Sequence, residues 1–526
     1  MDIQFRKLPV GIQSFPVIIE DNYMYVDKTA YIYRLVHYGS SYFFSRPRRF
    51  GKSLLLSTIR AYWEGKKELF AGLEIEKLES RNEKAWQPYP IFYFDFNGVN
   101  YKNSNALEEY LDNKMSEWEA YYESEKKTEL PGMRFQYLLK TAFRKAGRRC
   151  VILVDEYDKP LLETIDDLSL HEHNKNVFKS FFSILKSSDA FVQFVFITGV
   201  TKFSKVSIFS DLNQLEDISF DHDYSGICGI TEEEVRKYFS PEVEKMAAEL
   251  DISADECYLR LKKTYDGYRF SPCGTEVYNP YSLFCALKKR RFGSFWFETG
   301  TPSFLVKKLR EINYDVRQFD EYTVQATETI LSDYRIENPD PIPLLYQTGY
   351  LTITGISNLD LYTLGFPNTE VRYAFLESLM PEYIDNCGSG SGKDIFTLKR
   401  HIETGDINAI QNVLTALFAS IPYTGNDAPF EHYFQTVIYI VFTLLGKFTQ
   451  CEMHTANGRI DSIVETKDFV YIFEFKRDQS AEEALRQIEE KQYAKPYAAD
   501  SRKVIKIGVN FSSKTREIDD WAVEFL

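Results

Sequence analysis

The chain has 526 residues, of which 44% are hydrophobic and 27% charged, and a formal net charge of −14. That balance suits a soluble globular protein of roughly three or four domains and excludes a disordered or collagen-like chain. The acidity leaves no general basic footprint for nucleic acid, and the longest apolar run, residues 437–445, is far too short to span a bilayer.

The opening stretch MDIQFRKLPV has no long apolar segment, so no secretory signal is expected. The seven cysteines, at positions 150, 228, 257, 273, 285, 387 and 451, form no CxxC pair. They fit reduced thiols in a cytoplasmic protein.

Short apolar runs rich in aromatic and β-branched residues occupy 42–45, 91–96, 150–155 and 191–198, with helical patterns between them, for example at 106–126 and 175–186. Runs apolar at nearly every position suit parallel strands buried on both faces, and their alternation with helices predicts a layered α/β fold. Directly after the first run comes SRPRRFGKS, residues 45–53, followed by a helix over 54–63. Main-chain N–H groups at such a helix start cradle phosphate, and the helix dipole favours its charge. In this reading Arg48, Arg49, Phe50 and Gly51 form the loop, Lys52 reaches the β- and γ-phosphates of ATP, and Ser53 ligates Mg²⁺. The full motif, GxxxxGK(S/T), asks for glycine where this chain has Arg46.

The 150–155 run ends in Asp155 and Glu156. Asp155 is expected to hold the Mg²⁺ shell and Glu156 to polarise the attacking water. Thr198 ends the next run as a candidate sensor, with Lys202 a second one; a buried structural threonine fits equally. Arg46, Arg48 and Arg49 either add charge near the phosphates or face a partner. His171-Glu172-His173 has poor metal-ligand spacing for a helix and reads as a solvated face.

After Gly226 the pattern turns helical. Thr231 with Glu234 three residues later predicts a capping box. Helices dominate to about residue 320, the Lys288–Arg291 basic cluster reading as a solvated helix end. Pro339, Pro341 and Pro343 predict an irregular connection, 350–362 a β-rich piece, and NCGSGSGK, residues 386–393, a linker. YDGYRF, residues 265–270, and Asn279-Pro280 read as turns that cap helices and pack domains together. Arg236 and Arg269 either contact nucleotide across a domain interface or serve as surface or structural arginines.

In the last part, 430–445 predicts a helix and 459–464 and 469–476 two strands joined by a short turn, a plausible hairpin. Glu474 and Lys476 share one strand face, and pairing of the strands brings Asp461 next to Glu474. Two carboxylates can hold Mg²⁺ or Mn²⁺ while leaving positions open for water and phosphate. Lys476 can orient that water or stabilise charge on the phosphate. Glu431, near the helix start, is a further carboxylate, and Gln487 and Tyr493 fall on the following helix. The bland alternative is an exposed cross-strand Glu–Lys pair.

Taken together, YVDKT (25–29), RPRRFGKS (46–53), VDEYD (154–158), YDGYRF (265–270) and YNP (278–280) resemble the bacterial AAA-ATPase-like proteins, over most of the chain. RPRRFGKS is that family's usual P-loop, so the resemblance removes the departure at Arg46. It implies an additional-strand, AAA-like core and a C-terminal PD-(D/E)XK nuclease domain. The order helix Glu, strand Asp, strand Glu-x-Lys matches that fold, with Ile460 replacing the proline of its name. The expected architecture is a P-loop parallel-sheet domain over 1–225, a mainly helical connector over 226–385 and an α/β/α nuclease-like domain over 394–526. The expected function is an ATPase fused to a metal-dependent nuclease acting on DNA. No membrane is involved, and a homo-oligomer is left open. Two other readings stand beside it: an ATP-driven switch or scaffold whose nuclease-like domain binds nucleic acid without cutting it, and a protein-interaction module in which both sites are structural.

Overall fold

The computed structural model describes the chain except residues 1–6, 203–214, 297–302, 313, 321–322, 333–339, 358–359, 384–390, 421–429, 447–449, 457–458 and 516. The side chains of 303–304, 307–308, 391–394, 430–434, 450–456 and 459–461 are likewise outside the description. Contacts group the chain into two compact units. One is Met1–Trp296 with Tyr322–Glu370, the other Phe297–Glu321 with Val371–Leu526.

The first unit is built on a parallel sheet of β1 (Ser41–Ser45), β2 (Ile91–Asp95), β3 (Cys150–Asp155), β4 (Val192–Gly199) and β5 (Glu216–Asp217). The strand order is β2-β3-β4-β1-β5, and each pairing is parallel. β4 therefore lies between β1 and β3, the additional-strand arrangement of an AAA-like core. β1 and β3 are buried at every position, which is why both read as continuous apolar runs. Thr231 caps the helix Glu232–Glu249 in a full capping box with Glu234. A small antiparallel sheet of β6 (Gln325–Ala326), β7 (Thr352–Ile356) and β8 (Tyr362–Gly365), in the order β6-β8-β7, accounts for the β-rich piece.

Two local expectations are corrected. Pro341 and Pro343 do not sit in an irregular connection but in the first turn of the helix Pro341–Thr348, whose N-cap is Asp340. The first-turn N–H groups of a helix lack intrahelical acceptors, so prolines are tolerated there. Pro339 lies outside the described residues. His171 is not on a solvated face: it is 2% exposed, its Nδ1 3.1 Å from the Leu161 carbonyl. The helix Leu168–Phe182 buries that side against the core together with Phe178 and Phe181.

The second unit contains a mixed sheet of β9 (Gln450–Ala456), β10 (Arg459–Glu465), β11 (Phe469–Arg477), β12 (Lys503–Phe511) and β13 (Ile518–Phe525), in the order β13-β12-β11-β10-β9. β11 and β12 run parallel and the other pairs antiparallel. The helix Phe430–Leu445 packs on one face, Phe442 lying 5.1 and 5.5 Å from Phe473 and Phe475. The helix Ala481–Glu490 packs on the other, Ile488 joining Val470, Ile472 and Val504. Of the expected linker, 386–390 lie outside the described residues, and the helix Ser391–Thr404 takes up the rest. Among the described residues, no helix is long and apolar enough to cross a membrane.

Candidate functional site

The end of β1 leads through residues 46–51 into the helix Lys52–Trp63. Gly51 turns the chain at φ +96°, a left-handed conformation natural to glycine. Arg46 is 2% exposed, its guanidinium between the Phe44 and Phe270 rings at 4.5 and 4.2 Å. It donates to the carbonyls of Ser45 (2.9 Å) and Ser219 (2.7 Å). Arg46 thus braces the back of the loop, and burial pushes its pKa down to about 10. Phe50 turns its ring inward too, 4.8 Å from Tyr268 and 5.3 Å from Phe270, so its main chain is what it offers a ligand. Arg48 and Arg49 are exposed. Arg49 lies over Tyr281 at 4.8 Å.

Lys52 is 5% exposed and donates to the carbonyls of Arg46 (2.9 Å) and Pro47 (3.1 Å). Burial holds its pKa below the ordinary lysine value, while Glu156, Asp155 and Asp158 oppose that shift. Beneath it, Thr198 on β4 donates to Asp155 at 2.7 Å, and Ser53 also hydrogen-bonds this carboxylate. Burial raises the Asp155 pKa against those two bonds and the Lys52 charge. The sheet order explains the grouping, since Thr198 pairs with Phe44 of β1 on one side and borders the end of β3 on the other. Glu156 follows Asp155 at φ +49°, a left-handed conformation that costs a non-glycine residue roughly 1–2 kcal/mol. Lys202 is not brought into this group; it pairs with Asp217 at 3.0 Å and lies 4.1 Å over Phe220. An apolar cavity of ≈ 90 Å³ adjoins the loop, lined by Tyr25, Val26, Gly51, Leu54, Ile227 and Ile230 among others.

In the second unit, the β10–β11 register sets Asp461 directly opposite Glu474. Glu474 is fully buried and accepts from the Lys476 ammonium at 3.0 Å. Lys476 also donates to Oε1 of Gln487, which the helix Ala481–Glu490 presents to the same face. Glu431 stands in the first turn of the helix Phe430–Leu445, whose Phe442 packs on the face of β11 opposite Glu474 and Lys476. The side chains of Asp461 and Glu431 are outside the description. Tyr493 falls in the turn after its helix and packs against the Val470–Ile472 cluster.

Residues 9–209 match the family described as "Predicted AAA-ATPase", and residues 429–521 match the PD-(D/E)XK nuclease superfamily. A protein of Azotobacter chroococcum mcd 1, named "Uncharacterized protein in vnfD 5'region", is 36% identical over 536 residues, covering 99% of each chain. The chain belongs to the AAA-ATPase-like family.

Two residues of this AAA-ATPase-like chain escaped the sequence reading. Asp158, 1% exposed, accepts from the main-chain N–H groups of Val200 (3.1 Å) and Thr201 (2.6 Å) and from the Thr201 hydroxyl (2.7 Å). It stitches the end of β3 to the turn after β4, and so fixes Thr198 against Asp155. The second aspartate of VDEYD was its only signal. Gly508 of β12 is the register partner of Glu474, and a Cβ there would lie 2.1 Å from the Ala481 carbonyl. Only glycine lets that helix approach closely enough to set Gln487 over Lys476. As for cofactors, a hydroxyl and a carboxylate at Ser53 and Asp155 form a hard oxygen set that suits Mg²⁺. Glu474 supplies the same chemistry in the second unit.

Proposed function

We propose that this AAA-ATPase-like protein binds and hydrolyses ATP in its first unit and cleaves DNA phosphodiester bonds in its second. What carries the reading is that each of two separate sheets gathers carboxylate and lysine in the order phosphate chemistry needs. Lys52, Ser53, Asp155 and Thr198 converge at one, while at the other Glu474 bonds Lys476 and has Asp461 as its register partner.

At the first site the N–H groups of residues 48–53 receive the phosphates. Lys52 exchanges the carbonyls of Arg46 and Pro47 for phosphate oxygens, a change from neutral to charge-assisted hydrogen bonds. Ser53 and Asp155 would hold Mg²⁺, which would supply charge to neutralise the phosphates. Thr198 keeps Asp155 oriented, and Glu156 positions the attacking water. At the second site Asp461 and Glu474 would hold Mg²⁺ or Mn²⁺, which would supply an activated water and positive charge for the phosphate. Lys476 leaves Glu474 to stabilise charge on the scissile phosphate, and Gln487 orients it.

The test is cleavage of labelled plasmid and oligonucleotide DNA with Mg²⁺ or Mn²⁺, with and without ATP, by the native protein and Lys476→Ala. Cleavage lost in the variant is the expected outcome. No cleavage by native protein that still binds ATP favours the second reading, an ATP-driven switch whose nuclease-like domain only binds nucleic acid. One observation speaks for that reading: the Lys476 ammonium is already engaged by both Glu474 and Gln487.

A further inference from the structure

The chain passes from the first unit to the second after Trp296 and again after Glu370. Both residues are buried, 6% and 3% exposed, and they are bonded to each other, the Trp296 N–H donating to Glu370 Oε1 at 2.9 Å. The Phe295 N–H and the Ser282 hydroxyl donate to the same oxygen. Glu370 lies in the first turn of the helix Thr369–Tyr383, which continues into the second unit.

Trp296 also reaches the phosphate loop, its indole N–H donating to the Arg48 carbonyl at 3.1 Å. Gly349 closes on this contact from the other side. At φ +90° it would set a Cβ 2.8 Å from the Pro47 ring and 3.6 Å from the Trp296 indole. The Tyr350 ring stands edge-on to Trp296 at 5.2 Å. Pro47 and Arg48 are therefore flanked by Trp296, one of the residues at which the chain leaves the unit, and by Gly349.

A second route joins the same two places through the YDGYRF turn. Phe50 of the loop packs on Tyr268 and Phe270. At the turn's other end, the Asp266 carbonyl accepts from the Asn368 side chain at 2.8 Å. A Cβ on Gly267 would lie 2.1 Å from the Pro367 carbonyl. Residues 367–370, where the helix begins, are thus docked on a turn whose aromatic rings support the phosphate loop.

We propose that Trp296 is a positioning residue for the phosphate loop, and that with Glu370 it passes nucleotide occupancy to the helix Thr369–Tyr383 and so to the second unit. This rests on the nucleotide reading above and adds its regulation. A ligand shifts a conformational equilibrium only through contacts that differ between states. The contact that changes here is that of Lys52, which holds the carbonyls of Arg46 and Pro47 when no phosphate draws it away. The next carbonyl along, that of Arg48, is the one that holds Trp296. Release of the first two carbonyls frees the loop to move against Trp296, and Trp296 moves against Glu370.

Hydrogen–deuterium exchange of the full chain, with and without saturating ATP and Mg²⁺, tests this on native protein and Trp296→Phe. That substitution removes the indole N–H and keeps a ring. ATP is expected to protect residues 46–53 in both proteins. In native protein it also changes exchange over 371–383 by about fivefold or more, a change Trp296→Phe loses. An equal response at 371–383 in the variant overturns the proposal. So does no response there in native protein whose loop is protected, a result that leaves nucleotide binding intact. Absence of loop protection in native protein overturns the nucleotide reading and the proposal together. If Trp296→Phe fails to fold, Glu370→Gln, close in shape and still an acceptor, carries the same expectation in weakened form.

Discussion

The lysines of the two candidate sites, Lys52 and Lys476, are held differently. Lys52 is buried, its hydrogen bonds among the described residues going to two carbonyls of its own loop. Lys476 is held by a charged carboxylate, Glu474, and by Gln487. A phosphate arriving at Lys52 displaces neutral acceptors, so the exchange gains a charge-assisted bond. A phosphate at Lys476 would compete with an ion pair, and a cation on Glu474 would weaken that pair. On the proposed function, the first site would accept an anion alone, whereas the second would need metal first.

The largest expected effect is at the second lysine. Lys476→Ala should slow DNA cleavage by about 10²–10³-fold, the usual cost of losing one group that stabilises transition-state charge. Gel assays at saturating Mn²⁺ measure it, and a loss under tenfold would break the comparison by making Lys476 a mere partner of Glu474. Lys52→Ala should weaken ATP binding by about 100-fold, read by calorimetry, since a charge-assisted hydrogen bond is worth roughly 1.5–3 kcal/mol. The same titration without Mg²⁺ sharpens the contrast: some affinity should survive at Lys52, while cleavage at Lys476 should vanish.

A pH effect belongs to the turn beneath the phosphate loop. Burial pushes the Asp266 carboxyl up to about 7, so the folded state keeps a proton that the unfolded state releases near the ordinary carboxylate value. Between about pH 4 and 7 the folded state therefore binds more protons, and stability falls as pH rises. Asp266→Asn should be more stable than native protein at pH 8, by up to about 4 kcal/mol, and equal to it at pH 4. Urea midpoints across that range decide it. Gly508→Ala should destabilise by about 1–2 kcal/mol, because the helix Ala481–Glu490 must retreat from β12. Urea unfolding gives the stability, and cleavage should fall with it as Gln487 loses its place over Lys476.

Much of this was legible in advance because it is local. A strand buried on both faces announces itself as an unbroken apolar run, which is why 150–155 coincides with β3. The capping box at Thr231 depends on two residues three apart, and both bonds form. The proline-rich stretch misled because a helix start and a loop favour the same residue, and only the Asp340 cap and the burial of Pro341 and Pro343 separate them. His171 misled because a polar triplet says nothing about which side of its helix faces the core.

By itself the sequence determined the two local patterns: a GKS loop followed by a strand ending in carboxylates, and a strand pair carrying Asp461, Glu474 and Lys476. Those are patterns of spacing within one or two elements, and period and turn length control them. The tertiary structure alone decided what surrounds them. It buried Arg46 as a brace, tied Lys202 to Asp217 and set Asp158 as the clamp on Thr198. It also brought Trp296 and Glu370, 74 residues apart, onto one hydrogen bond beside the loop. Such partners meet only through packing between distant segments, and no local periodicity records them.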